Sequence, residues 1–212
     1  MISDLVDLEA SPAPPAVTAQ PSWSARVNYT RQQPLDRDAE LMLRVRDGDQ
    51  RSFELLLEKH RGPMIHFLRR MVQNEAVAEE LAQEVFLRVY KSRGNYEPCA
   101  KFTTWLFRIG THLALNSIRD GRNAKSETSL DQEFPDRRRT VEQELLYEAR
   151  LGEVRQAIYS LPAKQRAAVM MHKYEEMEYA QIASAIGCSE SAVKSLLFRA
   201  YEALRVRLAH MA

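Results

Sequence analysis

The sequence predicts an all-α protein made of two small helical domains joined by a flexible linker, the second domain being a helix-turn-helix. Three observations carry that expectation. Apolar residues recur at i, i+3, i+4 spacing over residues 36–122 and again over 140–208. No period-two alternation of the kind a half-buried strand needs interrupts them. Between the two stretches lies the polar run GRNAKSETSLDQEFPDRRRT, with Pro135 and little periodicity, which reads as a linker.

Residues 1–33 are rich in Pro, Ala, Ser and Gln, and Pro12, Pro14, Pro15, Pro21 and Pro34 exclude a long helix. They are expected to form a disordered tail. Its carboxylates Asp4, Asp7 and Glu9 meet no basic residue before Arg26, so the tail either shields a basic surface or serves only solubility. The first helical domain is expected over 34–122. Residues 38–47 form one amphipathic helix stopped by Gly48. Phe53, Leu56, Leu57 and His60 open a second, kinked at Pro63, that continues through Ile65, Leu68 and Val72. Asn74 caps a third helix with the stripe Ala78, Leu81, Ala82, Val85, Phe86 and Val89, and Gly94 ends it. A loop over 93–101 carries Asn95, Tyr96, Glu97 and Pro98 before a fourth helix begins near Phe102.

The linker is placed at 123–139 and the second domain at 140–212. A helix resumes after Thr140 with Val141, Leu145, Leu146, Leu151, Val154 and Ile158, and Leu161-Pro162 breaks it. Three helices then follow. The last two are joined by Ile186-Gly187-Cys188-Ser189, where Gly187 tolerates the positive φ of a helix stop and Ser189 is placed to N-cap the next helix. That final helix has the apolar stripe Val193, Leu196, Leu197, Ala200, Leu204 and Leu208. Its other face carries Glu190, Ser191, Lys194, Ser195, Phe198 and Arg199, where the recognition helix of a helix-turn-helix meets base edges. On charge pattern alone this is also a solvated amphipathic face, and the tight turn after a short helix favours the DNA-reading alternative.

Two further surfaces stand out. In the fourth helix, Phe102, Trp105, Leu106, Ile109, Leu113 and Asn116 project to one side and are expected to face the core. A separate strip holds Thr104, Arg108, Thr111, His112, Leu115 and Arg119, beside the loop bearing Asn95, Tyr96 and Lys101. Arginines mixed with a histidine and a nearby tyrosine suit backbone contacts and the capture of unstacked bases, and equally suit a solvent-facing helix side. The third helix presents Glu79, Glu80, Gln83 and Glu84 beside its stripe, either a docking ridge for a basic protein helix or a solvated ridge with i, i+4 pairs such as Glu84 to Arg88.

Composition narrows the function classes. The formal net charge is only +1, so nucleic-acid affinity must come from local patches. No apolar run reaches membrane-spanning length and the N-terminus lacks the pattern of a secretion signal, which implies a cytoplasmic protein. Cys99 and Cys188 have no histidines at metal-ligand spacing, and neither a phosphate-cradling glycine loop nor a nucleophile motif is present. No cofactor and no enzymatic activity are expected. A stand-alone helix-turn-helix regulator and a protein-interaction adaptor remain alternatives at this level.

The run AEELAQEVFLRVY, then NYEPCAKFTTWLFRIGTHLALNSIRD, a polar linker and LPAKQRAAVMMHKYEEMEYAQIASAIGCSESAVKSLLFRAYEALR resemble an extracytoplasmic-function sigma factor of bacterial RNA polymerase over nearly everything except the tail. Two motif blocks in the right order make the resemblance specific. It implies that Glu80, Leu81, Gln83, Glu84 and Phe86 dock on the clamp of the largest polymerase subunit. It implies that Asn95, Tyr96, Lys101, Arg108, His112, Leu115, Asn116 and Arg119 read the melted minus-ten element. It makes the helix from Ser189 the reader of the minus-thirty-five element, with Glu190, Ser191, Lys194, Ser195 and Phe198 near the bases and Arg166, Lys173 and Arg199 at phosphates. The flap of the second-largest subunit and an anti-sigma factor are the other implied partners. The family commonly has Asn where His112 stands and Arg where Leu196 and Tyr201 stand, so promoter preference does not transfer.

Overall fold

The computed structural model describes residues 35–121 and 141–211. The expected tail at 1–33 and linker at 123–139 lie outside the described residues. Eight α-helices are present among those residues, and no strand. They are α1 (Arg37–Arg46), α2 (Gln50–Val72), α3 (Glu75–Lys91), α4 (Phe102–Arg119), α5 (Val141–Tyr159), α6 (Ala163–Lys173), α7 (Tyr179–Ile186) and α8 (Glu190–Arg207).

Their starts follow from capping. Backbone N–H groups in a helix's first turn lack intrahelical acceptors, and a short polar side chain supplies one. Asp36 accepts from Ala39 N at 2.7 Å, Asn74 from Val77 N at 3.1 Å, and Ser189 from Ala192 N at 3.2 Å. α2 continues as one helix through Pro63. α3 stops at Ser92, two residues before the expected Gly94, and a 3₁₀ turn over Arg93–Asn95 follows.

The first unit, α1–α4, packs around Met64, Phe67, Leu68, Phe102 and Leu106, all essentially without solvent contact. Phe67 meets Phe107 edge-on at 5.1 Å between centroids. Gly110 lets α4 settle onto α2, since a Cβ at that position would lie 2.7 Å from Met64 Sδ. At the far end Asp36 uses its second oxygen to accept from Phe102 N at 3.2 Å, so one carboxylate caps both α1 and α4. Beside it, Asp38 accepts from Lys59 Nζ at 2.7 Å and bonds His60 Nε2 at 2.9 Å. Burial holds the His60 imidazole below its ordinary value, outweighing the nearby Asp38 carboxylate.

The second unit places α6, α7 and α8 around Met170, Met171, Ile182, Val193, Leu197 and Ala200. The described side chains of α5 contribute little to the core. Leu146 is 58% exposed, and Ala157 is the one fully buried side chain among the residues described there. The two units also meet: α6 and α7 pack against α4, α6 packs against α2, and the buried residues form one continuous cluster.

Candidate nucleic-acid interface

The helix-turn-helix is built by local chemistry. α7 opens with Gln181 Oε1 accepting from Glu178 N at 2.8 Å. It closes at Gly187, whose φ of 77° is left-handed and whose N–H reaches Ala183 O at 2.9 Å. Cys188 N bonds the same carbonyl at 3.0 Å. Ser189 then caps α8 and lies 2.9 Å from the Ser191 hydroxyl, while Ser195 Oγ donates to Ser191 O at 3.0 Å.

Glu190, Ser191, Lys194, Ser195, Phe198 and Arg199 are all exposed on one side of α8, as the spacing predicts. Lys194 Nζ lies over the Tyr179 ring, 6.0 Å from its centroid, a cation–π contact at the N-terminal end of α8. Phe198 is 68% exposed. Leaving a phenyl in water forgoes roughly 1.5–3 kcal/mol of burial, and apolar contact with a thymine methyl is one way a major groove returns it. Lys173 is exposed at the end of α6. Arg166 is not. It is 7% exposed and donates from Nη1 to Met71 O at 2.7 Å and from Nη2 to Leu161 O at 3.4 Å. Burial pulls its guanidinium below the ordinary arginine value. In this arrangement Nη1 and Nη2 are turned inward to backbone carbonyls and Nε is buried without a partner, which corrects the expected exposure to phosphate.

The second surface lies on α4 and the loop before it. Arg108, His112, Leu115, Asn116 and Arg119 form a continuous accessible strip, flanked by exposed Asn95 and Lys101. Asn116, expected in the core, is exposed, because the glycine face of α4 meets α2 and α3 and rotates Asn116 outward. Thr104 and Thr111, expected on the strip, are buried, at 2% and 0% exposure, without hydrogen-bond partners for their hydroxyls. Tyr96, expected as a base contact, is 4% exposed and packs 5.0 Å from Trp105 and 6.5 Å from Phe102 between ring centroids. It supports the loop from beneath. Desolvation, then the Arg108 charge, holds His112 below its ordinary value, which favours the neutral imidazole, a form with one donor and one acceptor. Arg108 is likewise drawn down by burial.

On α3, Glu80 and Gln83 are exposed, and Glu84 accepts from Arg88 Nε at 2.6 Å. Leu81 and Phe86 are 7% and 6% exposed and belong to the core side of the ridge. The cleft beside that ridge, about 510 Å³ and lined by Phe53, Leu57, Ile65, Phe86, Leu87 and Tyr90, is not anticipated by the sequence pattern. Phe53 and Tyr90 close one end, 5.0 Å apart. Its signal is the width of the α2 stripe: at 100° per residue it runs roughly half way round the helix, from Leu56 through Phe53 and Leu57 to Ile65, more apolar surface than one packing neighbour needs. Among the described residues no group of His, Cys, Asp or Glu could hold a metal ion, and no helix is long and apolar enough to cross a membrane.

A helix-turn-helix with an exposed polar and basic final helix on one unit, and a helix with a basic, histidine-bearing strip on the other, are features of the class of DNA-binding proteins. The profile "Sigma-70 region 2" matches residues 56–124 and "Sigma-70, region 4" matches 151–204. RNA polymerase sigma-H factor of Pseudomonas aeruginosa is 32% identical over 178 residues, covering 80% of this chain and 92% of that protein. RNA polymerase sigma factor CarQ of Myxococcus xanthus is 34% identical, covering 80% and 97%. The ECF RNA polymerase sigma-E factor of Escherichia coli K12 is 28% identical, covering 79% and 92%. The solved structure of CnrH in complex with the cytosolic domain of CnrY aligns with a TM-score of 0.63 at 21% identity, covering 82% of this chain and 99% of the other. The chain belongs to the extracytoplasmic-function sigma factors of the sigma-70 family. It is a promoter-specificity subunit that binds core RNA polymerase, recognises the minus-thirty-five and minus-ten elements and supports DNA melting.

Proposed function

We propose that the three surfaces divide this work residue by residue. Glu80, Gln83 and Glu84, with Leu81 and Phe86 shaping the ridge behind them, dock on the clamp of the largest polymerase subunit. Asn95, Lys101, Arg108, His112, Leu115, Asn116 and Arg119 hold the melted minus-ten strand, with Tyr96 fixing the loop. Ser189, Glu190, Ser191, Lys194, Ser195, Phe198, Lys173 and Arg199 engage the minus-thirty-five duplex. The second unit, expected over 140–212, also meets the flap of the second-largest subunit, and the first is expected over 34–122. The protein is not an enzyme, needs no cofactor and works in the cytoplasm; the chemistry is the polymerase's. Duplex contacts and base capture together offset the unstacking cost of a few kcal/mol per extruded base.

The observation that supports this division best is the contrast between the exposed face of α8 and the half-buried Arg108 beside His112 on α4. An anti-sigma factor is the expected regulator. One structural relative, a sigma factor RpoE from Bartonella quintana, is described in complex with the anti-sigma factor NepR. The test is runoff transcription with core polymerase from a cognate bacterium on a library of promoter-length duplexes. Initiation from a subset sharing two spaced elements is expected, and Arg108→Ala with Arg119→Ala should abolish open complexes while leaving core binding intact. Failure of the protein to bind a competent cognate core would overturn the assignment and favour a stand-alone regulator.

A further inference from the structure

We propose that Tyr179, braced by a His172–Tyr201 pair, is a positioning residue for promoter discrimination. It draws Lys194 away from Glu190 and leaves that carboxylate free to accept from a cytosine amino group in the minus-thirty-five duplex. The inference rests on the minus-thirty-five assignment of α8 above and names a base for one part of it. His172, Tyr179 and Tyr201 come from α6, α7 and α8 and lie outside the contact face that the spacing of α8 predicts. The Tyr201 hydroxyl is 3.0 Å from His172 Nδ1. The His172 ring in turn stands 5.5 Å from the Tyr179 ring between centroids. Burial, then the neighbouring Tyr179, pushes the Tyr201 phenol up, so its hydroxyl keeps its proton and can donate to the imidazole. Lys194 Nζ completes the chain, 6.0 Å from the Tyr179 centroid. The contacts thus begin and end on α8 and fix the Tyr179 ring between the other two helices.

Glu190 stands four residues before Lys194, with the acid N-terminal to the base, the order in which an i, i+4 ion pair is most favourable. The same spacing on α3 joins Glu84 to Arg88 at 2.6 Å. On α8 both side chains are exposed, yet no ion pair or hydrogen bond joins them among the described residues, and the ammonium lies over the ring instead. The consequence is chemical. An ionised glutamate only accepts and a lysine only donates, so bonded to each other they would present neither function to a groove. Held apart, Glu190 can accept from the N4 amino group of a cytosine, and Lys194 can donate to O6 or N7 of a guanine. Glu190 is the first residue of α8, the end that a recognition helix directs at base edges. Thymine at the same place offers O4, a second acceptor, and leaves the carboxylate without a donor. The arrangement therefore separates cytosine from thymine.

Two readouts test this. In NMR of the free full-length protein, the Tyr179 ring current should move the Lys194 ε-methylene protons upfield in the wild type and in Tyr179→Phe, but not in Tyr179→Leu. With cognate holoenzyme on promoters randomised across the minus-thirty-five element, one position should favour cytosine over thymine about tenfold, and Glu190→Ala should level it. Tyr179→Leu should cut that preference to about threefold or less while preferences set by Phe198 and Arg199 persist. Tyr179→Phe should keep it, and Tyr201→Phe should fall between. Adding Lys194→Ala to Tyr179→Leu should restore the preference, because the competing ion pair can no longer form. If Tyr179→Leu loses its helical circular dichroism, Tyr201→Phe decides through the same two readouts. An unshifted Lys194 in the wild type, full preference in Tyr179→Leu, or no restoration by Lys194→Ala would overturn the proposal. If Phe198→Ala and Arg199→Ala change base preference and Glu190→Ala does not, the proposal alone fails. If no substitution on α8 changes any preference, the minus-thirty-five assignment fails and the proposal with it.

Discussion

The two units set their candidate DNA readers in contrasting surroundings. The first buries Phe67, Phe102 and a set of methionines and leucines under long helices, and its candidate readers Arg108 and His112 are partly desolvated. The second buries mainly alanines, three methionines and Ile182, and its candidate readers stand in solvent on α8. An extruded base needs a rigid, partly dry receptacle, whereas a duplex groove needs side chains that project. The larger core lies in the unit to which the proposal assigns the melted strand.

The largest test of this contrast is Phe102→Ala. Phe102 has no solvent exposure and contacts the rings of His60, Tyr96 and Trp105. Its truncation should cost about 3–5 kcal/mol in urea unfolding and disorder the minus-ten loop, while α6 to α8 stay protected in amide hydrogen exchange. Equal loss of protection in both units would break the distinction. Asp36→Ala comes next. It removes one carboxylate that caps both α1 and α4 and should cost about 2 kcal/mol, with hydrogen exchange accelerating first at Phe102 and Ala39.

Phe198→Ala sharpens the other side. The ring is 68% exposed, so the unfolding midpoint should barely move, whereas affinity for a minus-thirty-five duplex should fall about tenfold, or about 1.4 kcal/mol, measured with holoenzyme at fixed salt. A stability loss without an affinity loss would make Phe198 a packing residue. The smallest effect is pH dependence in the first unit. The folded protein holds His60 below its ordinary value, so it binds fewer protons there than the unfolded chain. Stability is then full above the unfolded value of about 6.5 and declines as pH falls toward the folded value, by at most about 1.4 kcal/mol per pH unit. His112 acts in the same direction but is more exposed. Urea midpoints between pH 7.5 and 5.5 should show the slope, and His60→Asn should flatten it.

Helices, caps and the turn at Gly187 are legible in the sequence to within a few residues, as is the exposed face of α8. The stripe Ala78, Leu81, Ala82, Val85, Phe86 and Val89 is the buried face of α3 without exception. The fourth helix is less legible. Its spacing points Asn116 inward and Thr111 outward, and the fold reverses both, because Gly110 rather than a large residue marks the side that meets α2. A glycine has no weight in a hydrophobic stripe, yet it permits the closest approach. The expected flexible linker lies outside the described residues, and the separateness it suggests is offset by the packing of α6 and α7 on α4.

Capping, periodicity and turn chemistry act within about four residues, so the sequence alone determined where each helix begins and ends and which residues α8 presents. Tertiary structure decided what became of side chains whose partners lie far along the chain. Asp36 caps a helix 66 residues away, and Arg166 finds a carbonyl 95 residues away. Nothing in local spacing distinguishes an arginine aimed at phosphate from one aimed at another helix's end, since both are bare oxygens bearing negative charge. The outcome depends on which of them the folded chain brings within hydrogen-bonding distance, about 3 Å.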